Sequence, residues 1–300
     1  MNGLIVVDKP AGMTSHDVVH ALRRITGVKK AGHTGTLDPF ATGVLPVAMG
    51  EGTKAIQFLD ESRKEYRAVL KLGETTDTQD LHGEVTCRND WRAVTPSNIE
   101  CVTAAYKGRI NQVPPMFSAL KHHGVPLYKL ARRGIEIIRE SREIDIFSLV
   151  VDQLDLPEVA FTVSCSRGTY VRTLAHDMGA KLGCGAHLVR LQRTVSGPFN
   201  LAMALPFDQL DGLAKTGELS ELIISPYDAL ANLTDLQVNE RGMVMVANGI
   251  VPGDGEFTSL SETTLVPGER VRISRANRLL AVAEIIEGNN QVMRLVRVFQ

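Results

Sequence analysis

Cysteine is scarce in this chain of 300 residues, and its four cysteines lie far apart, at Cys87, Cys101, Cys165 and Cys184. None forms a C-x-x-C pair, so the sequence excludes a disulfide framework and favours reduced, buried thiols over a zinc site. No apolar run approaches the roughly 18 residues that a membrane span needs. The amino-terminal apolar run is short and is followed by an acid and a proline, which predicts a first strand and no signal peptide. We therefore expect a cytoplasmic protein that makes no membrane contact.

The common catalytic signatures are also missing. The first predicted strand is not followed by G-x-G-x-x-G, and residues 50–54 lack the spacing of a phosphate-binding loop. Neither G-x-S-x-G nor H-E-x-x-H occurs. Nucleotide hydrolysis and metal-dependent chemistry therefore have no support in the sequence, and we expect neither a metal ion nor another cofactor.

The chain has no overall excess of positive charge, since its formal net charge is −1. The balance differs by segment: residues 101–200 carry 13 Lys and Arg against 8 Asp and Glu, residues 201–265 carry 2 against 10, and residues 266–300 carry 6 against 3. An acidic stretch thus cancels two basic ones. Because attraction to phosphate is local, a basic face for nucleic acid is compatible with this balance. Chance clustering of solvated charge is the alternative.

The pattern of predicted elements indicates an α+β fold. The length predicts one large and one small domain, and strands intermix with helices without a regular βαβ repeat. Predicted strands cover residues 3–8, 44–48, 64–72, 159–164 and 188–195, and predicted helices cover 15–26, 95–106, 127–133 and about 172–182. We expect Ser15 to cap the first of these helices. From about residue 233, β-like runs at 244–246, 270–273, 279–286 and 292–298 alternate with turn residues and predict a small β domain.

One long loop stands out as a candidate for chemistry. Residues 31–43 are rich in turn formers and concentrate His33, Thr34, Thr36 and Asp38. Asp-Pro is a favoured turn pair on structural grounds alone. Long loops in compact domains are nevertheless often functional, and glycines allow the backbone to approach a ligand closely. Asp38 is therefore the candidate carboxylate.

Residues 32–46 closely resemble the central motif of the TruB family, the bacterial tRNA pseudouridine-55 synthases. Other stretches resemble later and earlier motifs of that family in the same order, namely Asp8–Gly12, Lys64–Arg67, Thr76–Thr78, Pro115–Lys121, Ser166–Arg172 and Leu182–Leu188. The resemblance implies a pseudouridine-synthase fold with a mixed, largely antiparallel central sheet. It places the catalytic domain at residues 1–232, with an RNA-clamping insertion at about 115–150. Residues 233–300 resemble, more weakly, a β-rich PUA-like RNA-binding domain.

The same resemblance implies a role for each matching residue. Asp38 falls on the catalytic aspartate, Tyr66 on the tyrosine that stacks against the target base, and Arg172 on the arginine that pairs with the carboxylate. His33 falls on the histidine that replaces the flipped nucleotide in its stack. Three further matches, Tyr170, Leu191 and Lys9, line or support the substrate pocket. The basic residues Lys121, Lys129 and Arg132 belong to a stretch that would close over the RNA backbone, as the family's insertion does. In the C-terminal domain, phosphate contacts would come from Arg270, Arg272, Arg275 and Arg278. A solvated helix face is the alternative for the basic stretch.

Pseudouridine formation breaks the bond from N1 of the base to the sugar and remakes it through C5, so no cofactor is needed. A carboxylate can serve as nucleophile or as base in this reaction, and both roles stay open. The implied partner is the T arm of tRNA, with no obligate protein partner. The alternatives are a tRNA-folding chaperone with incidental catalysis, a guide-RNA-dependent relative in a larger complex, and a nucleoside glycosidase. A glycosidase would usually show a second placed carboxylate.

Overall fold

The computed structural model describes residues 1–259, 265–287 and 293–299. Its strands, in chain order, are β1 (Gly3–Lys9), β2 (Ala31–His33), β3 (Thr42–Met49), β4 (Arg63–Leu72), β5 (Glu74–Thr76), β6 (Val85–Arg88), β7 (Gly108–Gln112), β8 (Lys121–His122), β9 (Val125–Pro126), β10 (Arg142–Asp155), β11 (Glu158–Ser166), β12 (Ala186–Ser196), β13 (Phe199–Asn200), β14 (Leu205–Pro206), β15 (Thr234–Val238), β16 (Phe257–Ser259), β17 (Arg270–Arg275), β18 (Arg278–Ile285) and β19 (Met293–Val298). Its α-helices are α1 (Ser15–Thr26), α2 (Pro96–Ala105), α3 (Leu127–Ala131), α4 (Val171–Lys181), α5 (Leu210–Thr216), α6 (Pro226–Ala229) and α7 (Glu240–Ala247). Two compact units result: Met1–Pro39 with Leu45–Asp60 and Ala202–Gln300, and Phe40–Val44 with Glu61–Leu201.

In the first unit, β1 pairs in parallel with β14, and β2 pairs antiparallel with β3. Helix α1 begins with a capping box: the Thr14 hydroxyl accepts from the Asp17 backbone N–H, and the Asp17 carboxylate accepts from the Thr14 N–H. Gly27 ends the helix in the left-handed conformation. The prediction that Ser15 is the cap is wrong by one residue, because the buried Ser15 hydroxyl bonds to Leu37 instead.

The second unit contains a sheet with the strand order β12-β4-β11-β10-β7, in which each neighbouring pair is antiparallel. The first residues of β3, Thr42 and Gly43, pair in parallel with β12. Side chains along β4 alternate between buried and more exposed positions, as predicted for residues 64–72. The prediction of a mixed, largely antiparallel sheet is confirmed.

Helix α2 of the second unit follows its predicted start signals. Thr95 caps α2, and Pro96 occupies its first turn. The strand β10 was not predicted: it begins at Arg142, inside the stretch 115–150 assigned to an insertion. The chain outside the sheet between β7 and β10 is therefore residues 113–141, which hold the β8–β9 hairpin and α3. The 232/233 domain boundary stays a prediction.

The carboxyl-terminal part of the first unit is β-rich, as predicted. Its five-stranded sheet has the order β16-β15-β17-β18-β19 and packs Leu236, Val271 and Ile273 into a buried core. The strand predicted for residues 244–246 is wrong, because they lie in α7. Asn239 caps that helix by accepting from the Gly242 N–H, which outweighs the β propensity of the valines. Residue 292 of the last predicted strand lies outside the described residues.

The cysteines are free thiols. Cys165 and Cys184 are buried as predicted, whereas Cys87 and Cys101 are exposed, which corrects the prediction for those two. Burial raises the pKa of the Cys165 thiol to about 11, so the thiol is neutral at physiological pH. Within the described residues, helices are too short or too polar to cross a bilayer.

Candidate active site

The turn that carries Asp38 is fixed on both sides of that residue. The Ser15 hydroxyl accepts from the Leu37 N–H at 2.8 Å and donates to the Leu37 carbonyl at 3.2 Å. On the other side, the Lys9 ammonium donates to the Pro39 carbonyl at 3.2 Å. Asp38 itself is half-buried. These bonds hold the backbone of a carboxylate in one conformation, which is what a catalytic group requires.

Lys9 lies at the end of β1 and is fully buried, with 0% of its surface exposed. Besides Pro39, its ammonium donates to the carbonyls of Pro10 at 2.8 Å and Met13 at 2.7 Å. A buried ammonium is tolerated when such acceptors replace water. Of the two roles implied for Lys9, lining or supporting the pocket, this geometry favours support of the Asp38 turn.

His33 is the last residue of β2, five positions before Asp38, and pairs with Val47 of β3. The next residue is also fixed, since the Thr34 N–H donates to the Pro46 carbonyl at 3.1 Å. The first unit therefore places His33 at the start of the Asp38 loop, on a strand. His33 is half-buried, and its role in replacing a flipped nucleotide stays a prediction.

Tyr66 and Leu191 lie on one face of the sheet in the second unit. Tyr66 on β4 is opposite Arg193 of β12, and Leu191 is opposite Ala68. Residues opposite each other in an antiparallel pair share a face, and so do alternate residues of one strand, so Tyr66 and Leu191 are diagonal neighbours. Both are largely buried, Tyr66 at 7% and Leu191 at 8% exposure. The sheet thus brings two of the predicted pocket residues together.

Two buried cations, Arg193 and Lys64, lie on the same face, and burial of neither was predicted. Arg193 is fully buried, and its Nε donates to the Val44 carbonyl at 2.8 Å. A Cβ at Gly43, where φ is +99°, would lie 2.2 Å from the Arg193 carbonyl, so the close approach requires glycine. Burial lowers the pKa of Lys64, and the Arg193 guanidinium lowers it further.

Arg172 lies in the first turn of α4 and is 4% exposed. Its Nη1 donates to the Asp80 carboxylate at 3.2 Å, and its Nη2 donates to the Phe117 carbonyl at 2.6 Å. Asp80 also accepts from the His82 N–H and the Thr78 hydroxyl. A role for Asp80 was not predicted, although Asp80 lies two residues beyond the Thr76–Thr78 motif. The pairing of Arg172 with Asp38 stays a prediction.

The remaining predicted contacts lie around α4 and the insertion. Tyr170 is half-buried and directly precedes α4. Lys121, Lys129 and Arg132 are exposed on the insertion, and the Arg132 guanidinium lies 5.5 Å from the centre of the Tyr128 ring. A cavity of about 520 Å³ separates the insertion from α4. Because the three cations are exposed, their positions are compatible with the predicted contact with an RNA backbone, which stays a prediction.

Two of the four C-terminal arginines lie against aromatic rings of the protein, the buried Arg272 and the exposed Arg270. The Arg272 guanidinium donates to the Tyr227 carbonyl at 2.7 Å and lies 4.1 Å from the centre of the Tyr227 ring. The Arg270 guanidinium lies 5.5 Å from the centre of the Phe58 ring. Arg272 is buried, so its predicted phosphate contact is corrected; Arg278 is exposed.

Comparison with known proteins identifies the family. A profile described as "TruB family pseudouridylate synthase (N terminal domain)" matches residues 23–171, and one described as "tRNA pseudouridylate synthase B C-terminal domain" matches residues 172–231. The chain belongs to the TruB family. A relative named tRNA pseudouridine synthase B from Geotalea uraniireducens is 59% identical over 95% of this chain and 92% of its own. One of the same name from Geobacter sulfurreducens is 54% identical over the whole of both chains.

Solved structures agree with the TruB assignment and confirm the pseudouridine-synthase fold. A chain from the "Structure of H/ACA RNP bound to a substrate RNA containing 2'-deoxyuridine" superimposes with a TM-score of 0.75 at 26% identity, covering 99% of this chain and 85% of that one. A chain from the "Crystal Structure of a Cbf5-Nop10-Gar1 Complex" gives 0.74 at 28% identity, with the same coverage. Among the residues described here, no group of three or more His, Cys, Asp or Glu side chains could hold a metal ion.

Proposed function

We propose that this TruB family enzyme isomerises the uridine at position 55, in the T arm of tRNA, to pseudouridine. Asp38 is its essential carboxylate. The observation that carries the proposal is the fixed turn in which Ser15 and Lys9 hold the residues on either side of Asp38. The names of the relatives support tRNA as the substrate.

The reaction conserves every atom of the nucleotide except for exchange of protons. The bond between C1' and N1 breaks, the base turns, a bond between C1' and C5 forms, C5 loses its proton and N1 gains one. Asp38 acts either on the sugar carbon as a nucleophile or on a sugar proton as a base. Tyr66 supports the extruded base by stacking, and the Arg172 guanidinium favours the ionised state of the carboxylate.

The other predicted residues serve the extrusion of the nucleotide. Pulling a base from a structured loop costs a few kcal/mol, so the vacancy must be refilled and the base held. His33 fills the vacancy, while Tyr170 and Leu191 line the pocket that receives the base. Exposed cations of the insertion, Lys121, Lys129 and Arg132, contact phosphates of the T arm.

Replacing Asp38 tests the proposal directly. Asp38→Asn keeps the shape of the side chain, so we expect the affinity for unmodified tRNA to stay within about threefold. Conversion should fall at least about a thousandfold, because no ionised carboxylate remains. Tritium release from tRNA labelled at C5 of uridine measures conversion, and mapping of pseudouridine by position tests the T arm. Asp208→Asn, at an exposed site of the same unit, is the matched control.

The outcomes separate the alternatives. Full-rate tritium release by Asp38→Asn contradicts the catalytic role, and pseudouridine at another position contradicts the specificity. The purified protein should convert tRNA alone, because the proposal includes no obligate protein partner or guide RNA. The family membership does not favour the chaperone alternative. That alternative would regain support if Asp38→Asn refolded misfolded tRNA as the wild type does while conversion proved dispensable.

A further inference from the structure

A buried glutamine joins the root of the insertion to the residue before α4. Gln112 is the last residue of β7 and is 2% exposed. Its Nε2 donates to the Tyr170 carbonyl at 3.1 Å, and its Oε1 accepts from the Tyr170 N–H at 2.8 Å. One side-chain amide therefore satisfies both backbone groups of Tyr170, as a neighbouring strand would.

Gln112 lies where the insertion leaves the sheet, so its two hydrogen bonds to Tyr170 connect the insertion to the start of α4. Gln112 is opposite Arg142, the first residue of β10, so the two ends of segment 113–141 meet at this register. Five residues beyond Gln112, the Phe117 carbonyl accepts from Arg172 at 2.6 Å. The root of the insertion is thus bonded to both Tyr170 and Arg172, residues that the proposed function places at the substrate pocket and the carboxylate.

The turn before α4 needs such an external restraint. Tyr170 occupies the cap position of α4 in an extended conformation, and its side chain makes no capping hydrogen bond. Gly168, two residues earlier, has a φ of +90°, in a region where glycine is conformationally free. The Ser166 carbonyl accepts from the Thr169 hydroxyl within this turn, and the Tyr170 carbonyl also accepts from the Leu174 N–H inside α4. Gln112 bonds to both backbone groups of Tyr170 from outside the turn and the helix.

We propose that Gln112 is a positioning residue for the isomerisation, which sets the Tyr170 backbone and the start of α4 and ties them to the insertion. The inference rests on the proposed function, because it assigns Gln112 a part in that reaction. Gln112 acts through Tyr170 and Arg172 and makes no contact with the reacting atoms. A displacement of about 1 Å at a catalytic site can cost a hundredfold in rate, so loss of this restraint should be measurable.

The test compares Gln112→Met with Asn111→Met. Methionine keeps the length and burial of Gln112 but removes both hydrogen bonds, whereas Asn111 is an exposed neighbour on the same strand. We expect the single-turnover rate with C5-tritiated tRNA to fall about 10- to 100-fold in Gln112→Met, with the dissociation constant for tRNA within about threefold. Asn111→Met should match the wild type. Rates are measured well below the melting temperature of each variant.

A double-mutant cycle separates positioning from folding. Tyr170→Ala keeps the two backbone groups that Gln112 binds but removes the side chain that they position. The part of the Gln112→Met loss that passes through this side chain should therefore disappear in the Tyr170→Ala background, while the part that passes through Arg172 should remain. A wild-type rate in Gln112→Met, or losses that are fully multiplicative in both a Tyr170→Ala and an Arg172→Ala background, would overturn the inference. If Gln112→Met does not fold, Gln112→Glu decides, because it keeps the acceptor and replaces the donor; it should lose about tenfold, and a wild-type rate would again overturn the inference. A wild-type enzyme without conversion would instead refute the proposed function.

Discussion

The turn that carries Asp38 and the first turn of α4 are each held by a buried cation, Lys9 and Arg172, but the two cations are compensated differently. Lys9 donates to three backbone carbonyls, those of Pro10, Met13 and Pro39. Arg172 donates to two carbonyls, those of Phe117 and Thr78, and also to the carboxylate of Asp80. These three bonds of Lys9 all go to the backbone, whereas Arg172 also depends on one replaceable side chain, Asp80.

This difference suggests a division of labour. The three carbonyls that surround the Lys9 ammonium, here called the carbonyl cage, come together only when the chain is folded. Lys9 therefore chiefly stabilises the fold. A carboxylate orients a guanidinium through directional, charge-assisted hydrogen bonds, so Asp80 can set where Arg172 points. Removing the Asp80 carboxylate, the partner of Arg172, should therefore lower the rate of catalysis. Removing the Lys9 ammonium should instead lower the stability of the fold.

Asp80→Asn removes the replaceable partner of Arg172 and should have the largest effect among the variants that test this contrast. Asparagine keeps the shape but removes the charge that orients Arg172, so we expect kcat for tRNA isomerisation to fall about a hundredfold, or about 2.7 kcal/mol in activation free energy. The dissociation constant for tRNA should stay within about threefold. Single-turnover kinetics and filter binding measure the two quantities.

The matched control for that variant is Asp77→Asn, an exposed position in the same turn whose carboxylate accepts from the Glu84 N–H. Asparagine can still accept that bond, so Asp77→Asn should behave as the wild type. Equal losses in the two variants, or a loss confined to affinity, would contradict the role given to Asp80.

Lys9→Met tests whether the Lys9 ammonium stabilises the fold. Methionine fills a similar volume but leaves three carbonyls without their donor, so we expect the free energy of unfolding to fall by about 1–2 kcal/mol. Urea denaturation measures the change. Lys29→Met makes the same substitution at an exposed site of the same unit and should change the free energy by less than about 0.5 kcal/mol. Similar destabilisation by both would mean that the cage contributes nothing.

Sequence reasoning succeeded where a signal is local. The alternating burial along β4 and the capping residue of α2 can each be predicted from a few residues adjacent in the sequence. It failed where partners are distant in the chain: Arg172 and Asp80 are 92 positions apart, and Gln112 and Tyr170 are 58 apart. Without a fold, nothing distinguishes these buried polar side chains from surface ones.

Distant partners also explain why the predicted phosphate contact of Arg272 was wrong. An arginine is counted as basic wherever it stands, but burial decides whether its charge is available. The Arg272 guanidinium donates to the Tyr227 carbonyl and lies 3.5 Å from the Asp235 carboxylate. Arg278, in contrast, is exposed at the start of β18. The number of arginines therefore overstated the phosphate-binding capacity of the β-rich region.

Arg278→Ala and Arg272→Ala test whether burial decides which arginine contacts RNA, and their expected effects on tRNA affinity are the smallest of those given. An exposed arginine that contacts a phosphate releases counterions on binding, so Arg278→Ala should weaken tRNA affinity about two- to fivefold. It should also reduce the slope of log affinity against log salt concentration by up to about one. Arg272→Ala should leave the salt slope unchanged and lower the melting temperature, since its charge is enclosed. Binding measured between low and physiological salt separates the two. An unchanged slope for Arg278→Ala would remove this residue from the RNA-binding surface, and a reduced slope for Arg272→Ala would show that its charge reaches the RNA despite burial.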